Sequence, residues 1–350
     1  MPKKTYYNIK PLLSTGAQYM ILLGQRANGK SYQCKLAALE DYVKNKKKFV
    51  YLRRWKQDIK TKSVDAYFGD MPVNKITGGE WDYVKAWNGD LYFAKVEDGI
   101  EKKSESIGRY CALNEYERYK SWVFKDYKYI IYEEFITDKI YLDGEPRLLQ
   151  HFVSTVARHA PITVLMVGNT LSRVCPYFSE WCLEGVLRQK QGTIEIYHYH
   201  VDGGTIDVAV EYCATQHYEN KMFFGQTAKQ IITGEWDTVE VPGLPRKQYE
   251  YECIYKLLVK YQKFCFVLAL MVEPINGGRI CFIYPTEEDN SIERVITDKF
   301  SDLPAVTSVL DINKKPEYYI RECLRSNKVC YANNMTGADF KNVCGAFPFY

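Results

Sequence analysis

Residues 24–31 read Gly24-Gln25-Arg26-Ala27-Asn28-Gly29-Lys30-Ser31, which fits the pattern G-x-x-x-x-G-K-[ST]. The apolar run 19–23 before them predicts a buried strand, and the spacing of apolar residues after Ser31 predicts a helix. A strand that leads through a glycine loop into a helix brings backbone N–H groups and the helix N-terminus onto phosphate oxygens. We therefore expect this loop to bind a nucleoside triphosphate, with Lys30 at the β and γ phosphates and Ser31 on Mg²⁺.

Composition sets wider limits on the chain. Its 350 residues are long for one core, so we expect two domains. The net charge of +4 does not by itself indicate a nucleic-acid-binding protein. No stretch reaches the roughly 20 apolar residues of a membrane span, and the N-terminus lacks the apolar run of a signal peptide. Eleven cysteines without a C-x-x-C pair favour reduced thiols. We expect a soluble intracellular protein that has no membrane partner.

Buried strands alternate with helices through the first 200 residues. Polar residues follow several of the strands, a pattern typical of a parallel sheet whose site lies at the carboxyl ends of its strands. The predicted strands are 19–23, 49–52, 110–113, 129–132 and 162–167, with a hairpin over 81–96 and helices from Ser31 and over 147–159. Residues 1–205 are therefore expected to form an α/β nucleotide-binding domain.

The remainder of the chain has a different pattern. From about residue 200 the sequence becomes irregular, beginning with Gly203-Gly204. Residues 206–245, with further glycines and prolines, are predicted to form a linker region. Residues 246–350 are expected to form a smaller α+β domain. Its predicted elements are an antiparallel strand pair over 264–272 and 279–284 and helices over 317–325 and 336–344.

Two acidic residues, Glu133 and Glu134, end the predicted strand 129–132. Hydrolysis of a triphosphate needs a carboxylate that holds the metal and a group that orients or deprotonates water. We expect Glu133 to lie in the Mg²⁺ shell and Glu134 to polarise the attacking water. Asn169, after the strand 162–167, is either a hydrogen-bond partner of that water or of the γ phosphate, or only a turn residue.

With these motifs the chain resembles the DNA-packaging ATPases of small short-tailed podophages of the Picovirinae type, which are related to large-terminase motors. The resemblance covers the first 180 residues, and the second domain matches only loosely through its central strand pair. Besides the glycine loop, the matching segments are Tyr7-Asn8, Tyr51-Leu52-Arg53-Arg54-Trp55-Lys56, Ile131-Tyr132-Glu133-Glu134-Phe135-Ile136, Thr155-Val156-Ala157-Arg158, Gly168-Asn169 and Pro176-Tyr177-Phe178.

The resemblance implies a P-loop ATPase domain of the ASCE type with a central, mostly parallel sheet, followed by an RNase H-like domain. It implies ATP and Mg²⁺ as cofactors and a motor that couples ATP hydrolysis to translocation of double-stranded DNA into the procapsid. The expected assembly is a ring, a pentamer by resemblance, on the portal or connector, with a structural RNA as a possible further partner. Such a motor acts in the host cell cytoplasm and transiently on the viral procapsid.

The resemblance also suggests roles for single residues. Arg158 matches the arginine finger that reaches the ATP site of the neighbouring subunit, and Lys139 matches a second cation that acts in trans. Arg26 matches an arginine that contacts phosphate within its own subunit. Lys56 and Lys120 match positions near the DNA channel. Glu133 stands where the better-known member of the family has Asp, and its extra methylene favours a water-mediated contact with the metal.

The sequence is compatible with other interpretations. The second domain shows no convincing acidic set for two-metal nuclease chemistry, since Glu287, Glu288 and Asp289 fall in a predicted turn. We expect this domain to contact DNA, a connector or a structural RNA without cutting nucleic acid. The alternatives to a motor are a P-loop switch with slow turnover and a P-loop small-molecule kinase.

Overall fold

Nine described strands between Tyr19 and Tyr212 form one sheet. The computed structural model describes residues 7–214, 233–236, 240–275, 277–287, 292 and 294–350. The strands are β1 (Tyr19–Leu23), β2 (Lys48–Arg53), β3 (Tyr83–Trp87), β4 (Asp90–Glu97), β5 (Ile100–Ala112), β6 (Tyr127–Glu133), β7 (Thr163–Val167), β8 (Thr193–Val201) and β9 (Gly204–Tyr212). Their order across the sheet is β3-β4-β5-β2-β6-β7-β1-β9-β8.

The six central strands of this sheet run parallel, from β5 through β2, β6, β7 and β1 to β9. Antiparallel pairing occurs only towards the two edges, in β3-β4-β5 and in β8-β9. Strands β1, β6 and β7 are buried almost without alternation, because both faces of a parallel sheet are covered. The predicted α/β architecture with a mostly parallel sheet is confirmed.

Helices cover the two faces of the sheet. They are α1 (Lys10–Leu13), α2 (Lys30–Asn45), α3 (Thr61–Tyr67), α4 (Val73–Ile76), α5 (Glu145–Val156) and α6 (Pro176–Glu180). Met20 and Leu22 of β1 share an apolar cluster with α2, whereas Ile21 and Leu23 share another with α5. Since successive strand residues point to opposite faces, α2 and α5 lie on opposite sides of the sheet.

The structure corrects several predicted bounds. β5 begins at Ile100 rather than at 110, and α5 ends at Val156 rather than at 159. The first sheet does not end at residue 205, because β9 pairs with β1 through Tyr212. Gly203 and Gly204 were interpreted as the start of the irregular region, but they join β8 to β9 in a hairpin. The remaining division into domains stays a prediction.

A second sheet of six described strands follows. Its strands are β10 (Glu252–Tyr261), β11 (Phe264–Val272), β12 (Arg279–Pro285), β13 (Val295–Thr297), β14 (Val306–Thr307) and β15 (Val329–Tyr331), in the order β14-β13-β10-β11-β12-β15. Strands β10, β11 and β12 are antiparallel, and the predicted pair β11-β12 is confirmed. The other strands join parallel to their neighbours. Helices α7 (Lys315–Arg325) and α8 (Asn334–Ala346) pack on this sheet. Glu288 and Asp289 lie outside the described residues.

Candidate nucleotide site

The glycine loop joins the end of β1 at Leu23 to the start of α2 at Lys30. Gly24 and Gly29 have φ values of 130° and 96°, and Ala27 has a φ of 56°. This left-handed backbone suits glycine and costs a side-chain-bearing residue energy, so Gly29 provides a favourable cap directly before α2. The local pattern therefore folds as predicted from the octapeptide.

Lys30 is 4% exposed, and its ammonium is held by loop oxygens. Its Nζ donates to the carbonyl oxygens of Gly24 and Gln25 at 3.2 and 2.5 Å and to Asn28 Oδ1 at 3.2 Å. A longer contact of 3.5 Å joins Nζ to Asn169 Oδ1, beyond the end of β7. Burial lowers the pKa of the Lys30 ammonium to about 8. The structure thus brings Asn169 to the loop.

Glu133 is the last residue of β6 and is buried. Its Oε2 accepts a hydrogen bond of 2.6 Å from the Tyr51 hydroxyl and lies 3.7 Å from Arg53 Nη1. Its Oε1 is buried and has no hydrogen-bond partner among the described residues. A buried carboxylate oxygen without a donor has capacity left for a further ligand.

Glu134 follows β6 with a left-handed backbone, φ 56°, and its side chain is exposed. Its Oε2 accepts a charge-assisted hydrogen bond of 2.5 Å from Arg53 Nη2. Arg53 itself is buried and lies over the ring of Tyr67. No local motif of the sequence marks Tyr51 or Arg53 as a residue of the site. Both residues lie near the carboxyl end of β2, which pairs with β6. This position next to the strand of Glu133 is the feature that could have indicated their role.

One cavity of about 1170 Å³ opens at this edge of the sheet. Ten of its lining residues are Arg26, Ala27, Asn28, Gly29, Lys30, Ser31, Arg53, Glu134, Lys139 and Asn169. The loop residues and Glu134 therefore face the same space, although they are about 100 residues apart in the sequence. Lys139 lines the cavity of its own chain.

Three other residues singled out in the sequence do not line this cavity, although one of them, Lys56, stands between the lining residues Trp55 and Gln57. Arg158 is exposed beyond the end of α5, and its Nη2 donates to the carbonyl oxygen of Lys120 at 3.2 Å. Lys56 and Lys120 are exposed and pair with Glu115 and Glu117 at 2.7 and 2.9 Å. Their assigned roles stay predictions.

A short segment from the predicted linker region packs against the loop. The carbonyl oxygen of Gly234 accepts hydrogen bonds of 2.8 Å from Thr170 Oγ1 and from the Tyr212 hydroxyl. A Cβ on Gly234 would collide with the backbone nitrogen of Gln25. Residues 233–236 are therefore part of the surroundings of the site rather than a free connection.

A mostly parallel sheet in which a glycine loop leads from a strand into a helix, with acidic residues ending a nearby strand, defines the P-loop class of proteins. Within that class the chain belongs to the family of podovirus DNA encapsidation proteins (Gp16), whose model matches residues 1–190.

Within the described part of the chain, no helix is long and apolar enough to cross a membrane.

The chain is similar to named proteins of phages. It is 26% identical over 182 residues to a DNA packaging protein of Bacillus phage PZA, covering 51% of this chain and 50% of that protein. The chain thus spans about half the length of the curated relatives it matches. The bacteriophage Phi-29 viral genome packaging motor assembly is similar with a TM-score of 0.55 and 18% identity, over 94% of this chain and 95% of that one. The Phi-28 gp11 DNA packaging motor is similar with a TM-score of 0.52 and 18% identity, over 99% of both chains. At these identities the two structures show a shared fold.

Proposed function

We propose that this protein is a viral genome-packaging motor ATPase that couples ATP hydrolysis to translocation of double-stranded DNA into a procapsid. One observation carries the proposal: a single cavity collects the phosphate-binding loop, Asn169 and Glu134 at the carboxyl edge of the sheet. Membership in the DNA encapsidation family, and relatives named as DNA packaging proteins and motors, support it.

Binding of the triphosphate is assigned to residues 24–31. The N-terminus of α2 and the loop N–H groups favour an anion, and Lys30 supplies a positive charge beside them. Its ammonium is held by carbonyl oxygens that a phosphate can replace. Arg26 is exposed and lines the cavity, so its guanidinium can reach phosphate oxygens of the same subunit.

Ser31 and Glu133 carry oxygen donors of the kind that Mg²⁺ takes, and we infer that they would hold this ion, although Glu133 is not among the residues that line the cavity. Ser31 lies in the first turn of α2, and Glu133 has the unpartnered buried oxygen. The described residues contain no group of three or more His, Cys, Asp or Glu that could hold a metal by itself. This agrees with a shell in which Ser31 and Glu133 act with phosphate oxygens and water, as is usual for Mg²⁺. When bound, the ion would neutralise charge on the β and γ phosphates.

Glu134 is the proposed general base for the attacking water. In the structure one of its oxygens is engaged by Arg53, and such an oxygen is not available to a water proton. Glu134 would therefore take the proton at Oε1, its other carboxylate oxygen, while Oε2 stays with Arg53. Because the Glu134 side chain is 65% exposed, it has room to do so. Asn169 would hold the water or the γ phosphate.

We further propose that Arg158 and Lys139 stabilise charge on the phosphoryl group in the site of the adjoining subunit of a ring. The exposure of Arg158 and its position outside the cavity of its own chain support its assignment. Lys139 is exposed but lines the cavity of its own chain, so its assignment in trans rests on the resemblance alone. The ring, a pentamer by resemblance, would sit on the portal or connector in the host cytoplasm, with a structural RNA as a further partner. Lys56 and Lys120 would contact DNA phosphates, which carry no sequence information and suit a motor that must release every sequence.

For the second sheet we propose an RNase H-like domain without nuclease activity. The antiparallel β10-β11-β12 meander, with β13 and β14 added parallel beside β10, supports that fold. The domain would contact DNA, the connector or the RNA.

The first test is ATP turnover by the full chain. We expect duplex DNA to stimulate turnover in the wild type, and Glu134→Gln to lower it at least about 100-fold, because a base contributes 10² or more. Affinity for a nonhydrolysable ATP analogue should stay within about twofold. Glu322→Gln, which makes the same change at an exposed glutamate of α7, is the matched control. Unchanged turnover in Glu134→Gln would favour the slow switch, and turnover that requires a small acceptor would favour a kinase.

The second test separates action in trans from action in cis. Glu134→Gln and Arg158→Ala should each be inactive as pure proteins, whereas a mixture should regain turnover. In mixed rings, an intact Arg158 of one subunit can complete the site of a neighbour that retains Glu134. Arg147→Ala, which changes an exposed arginine within α5, should stay active. A mixture as inactive as its components would refute the assignment in trans.

A further inference from the structure

Two arginines at the end of β2 point to different carboxylates. Arg53 meets Glu133 and Glu134, whereas Arg54, one residue on, meets Glu145. The Arg54 and Glu145 side chains are 7% and 0% exposed. Burial of both charges costs desolvation energy, which is offset only when the remaining donors and acceptors of the pair also form hydrogen bonds. The other hydrogen-bond partners of Arg54 and Glu145 therefore show which parts of the structure the ion pair connects.

Glu145 is saturated with donors. Arg54 donates to it twice, from Nε at 2.7 Å and from Nη2 at 3.0 Å. The hydroxyls of Tyr132 and Tyr177 donate at 2.6 and 3.1 Å, and the backbone N–H of Leu142 donates at 3.0 Å. Burial raises the pKa values of Tyr132 and Tyr177 well above their ordinary range, so both hydroxyls keep the protons they donate. The carboxylate therefore has one defined position.

The remaining donors of Arg54 reach the backbone beside the general base. Nη1 donates to the carbonyl oxygen of Glu134 at 3.1 Å, and Nη2 donates to that of Phe135 at 2.6 Å. Glu134 has the left-handed φ of 56°, which a glutamate does not favour by itself. Two charge-assisted hydrogen bonds to consecutive carbonyls hold this turn and so fix the direction in which the Glu134 side chain leaves β6.

The other end of the connection is rigid. Glu145 begins α5, whose Leu149, Phe152 and Val156 are completely buried against the sheet. The guanidinium of Arg54 also lies 4.9 Å from the centre of the Tyr141 ring. The turn that carries Glu134 is thereby attached through two side chains to a fixed helix.

We propose that Arg54, oriented by Glu145, is a positioning residue for hydrolysis: it holds the Glu134-Phe135 turn in the left-handed form from which Glu134 reaches the attacking water. The inference rests on the proposed ATPase function. Arg54 acts only through the placement of Glu134, so its effect must depend on the presence of the Glu134 carboxylate.

The test is a double-mutant cycle on the full chain with Arg54→Lys and Glu134→Gln. Lysine keeps the charge beside Glu145 but has three donors at one point and cannot span Glu145 and both carbonyls. Steady-state release of labelled phosphate at saturating ATP gives kcat, and binding of the nonhydrolysable analogue AMP-PNP gives affinity. We expect Arg54→Lys to lower kcat at least tenfold with affinity within twofold, and to change the residual kcat of Glu134→Gln less than twofold. Arg109→Lys, at a paired arginine of β5, is the matched control and should leave kcat within twofold of wild type.

A merely structural role would lower kcat by the same factor in both backgrounds, or lower affinity with it, and either result overturns the inference. Should Arg54→Lys fail to fold, Tyr132→Phe removes a single donor to Glu145 at constant shape. It should lower kcat at least threefold in the wild-type background alone, and no loss there overturns the inference. A wild-type chain that binds AMP-PNP but never hydrolyses ATP overturns the proposed function and this inference with it. Normal turnover in Arg54→Lys overturns this inference alone.

Discussion

Lys30 is a buried cation beside the glycine loop that is proposed to bind phosphate. Its three partners in the loop are neutral oxygens, and burial depresses its pKa to about 8. A phosphate beside the ammonium would favour the charged form and raise that pKa again. Binding of ATP at the proposed site would thereby be linked to the protonation state of this single side chain.

We expect the affinity for a nonhydrolysable ATP analogue to be highest near pH 7 and to fall towards tenfold per pH unit above pH 8. The sign follows because the free protein loses the Lys30 proton near pH 8, whereas the complex retains it, so binding takes up a proton. A terminal phosphate, with a pKa of about 6, is already ionised in that range. Calorimetry at pH 7, 8 and 9 measures the change. Lys30→Met should bind weakly with no such trend, and a wild-type affinity that stays flat to pH 9 would contradict this origin.

At the scale of elements, the parallel strands fix which side chains meet. β6 lies between β2 and β7, so the carboxyl ends of all three strands reach the same edge as the glycine loop. Where two strands approach closely, a residue without a side chain can be required. Gly108 of β5 lies opposite Phe49 of β2, and a Cβ at this position would collide with the Phe49 carbonyl oxygen.

Gly108→Ala should therefore lower the free energy of unfolding by about 1–3 kcal/mol, since backbone cannot yield as a flexible side chain can. Urea denaturation measures the loss. Gly345→Ala is the matched control: it lies in α8, a Cβ there meets nothing within 4 Å, and alanine is the better helix former by about 1 kcal/mol. Equal stability of the Gly108→Ala protein and the wild type would show that β2 and β5 can separate without cost.

At the scale of the whole molecule, the two sheets are connected by a charged contact. Arg173, in the segment after β7, donates to Asp339 of α8 at 3.0 Å, and the adjacent Val174 packs in the core of the second sheet. Burial raises the pKa of the Asp339 carboxyl to about 6, although Arg173 and Lys263 oppose the rise. The Asp339 carboxyl in this contact therefore binds its proton more tightly in the folded chain than in the unfolded one.

Between about pH 4 and 6 the native state binds this proton and the unfolded state, with a pKa of about 3.9, does not, so this group's contribution to stability falls as pH rises. Compared with wild type, Asp339→Asn should gain on the order of 1–3 kcal/mol in free energy of unfolding from pH 4 to pH 7. Urea titrations of both proteins at each pH give the difference directly. A variant that loses stability against wild type over this range would show that the ion pair with Arg173 outweighs burial.

The sequence by itself determined the features that depend on neighbours along the chain. The glycine loop, β1 and the strand that ends at Glu133 each follow from a pattern a few residues long, and so does the β11-β12 pair. Only the tertiary structure decided which side chains meet. Tyr51 and Arg53 reach the acidic pair from 82 and 81 residues away, and Arg54 reaches Glu145 from 91 residues away. The hairpin β8-β9 at the far edge was missed because its glycines indicate a linker as well as a turn. The order of the strands in the sheet brings these residues together. A local sequence pattern does not contain that order, because which strands pair depends on how the whole faces of the sheet are buried.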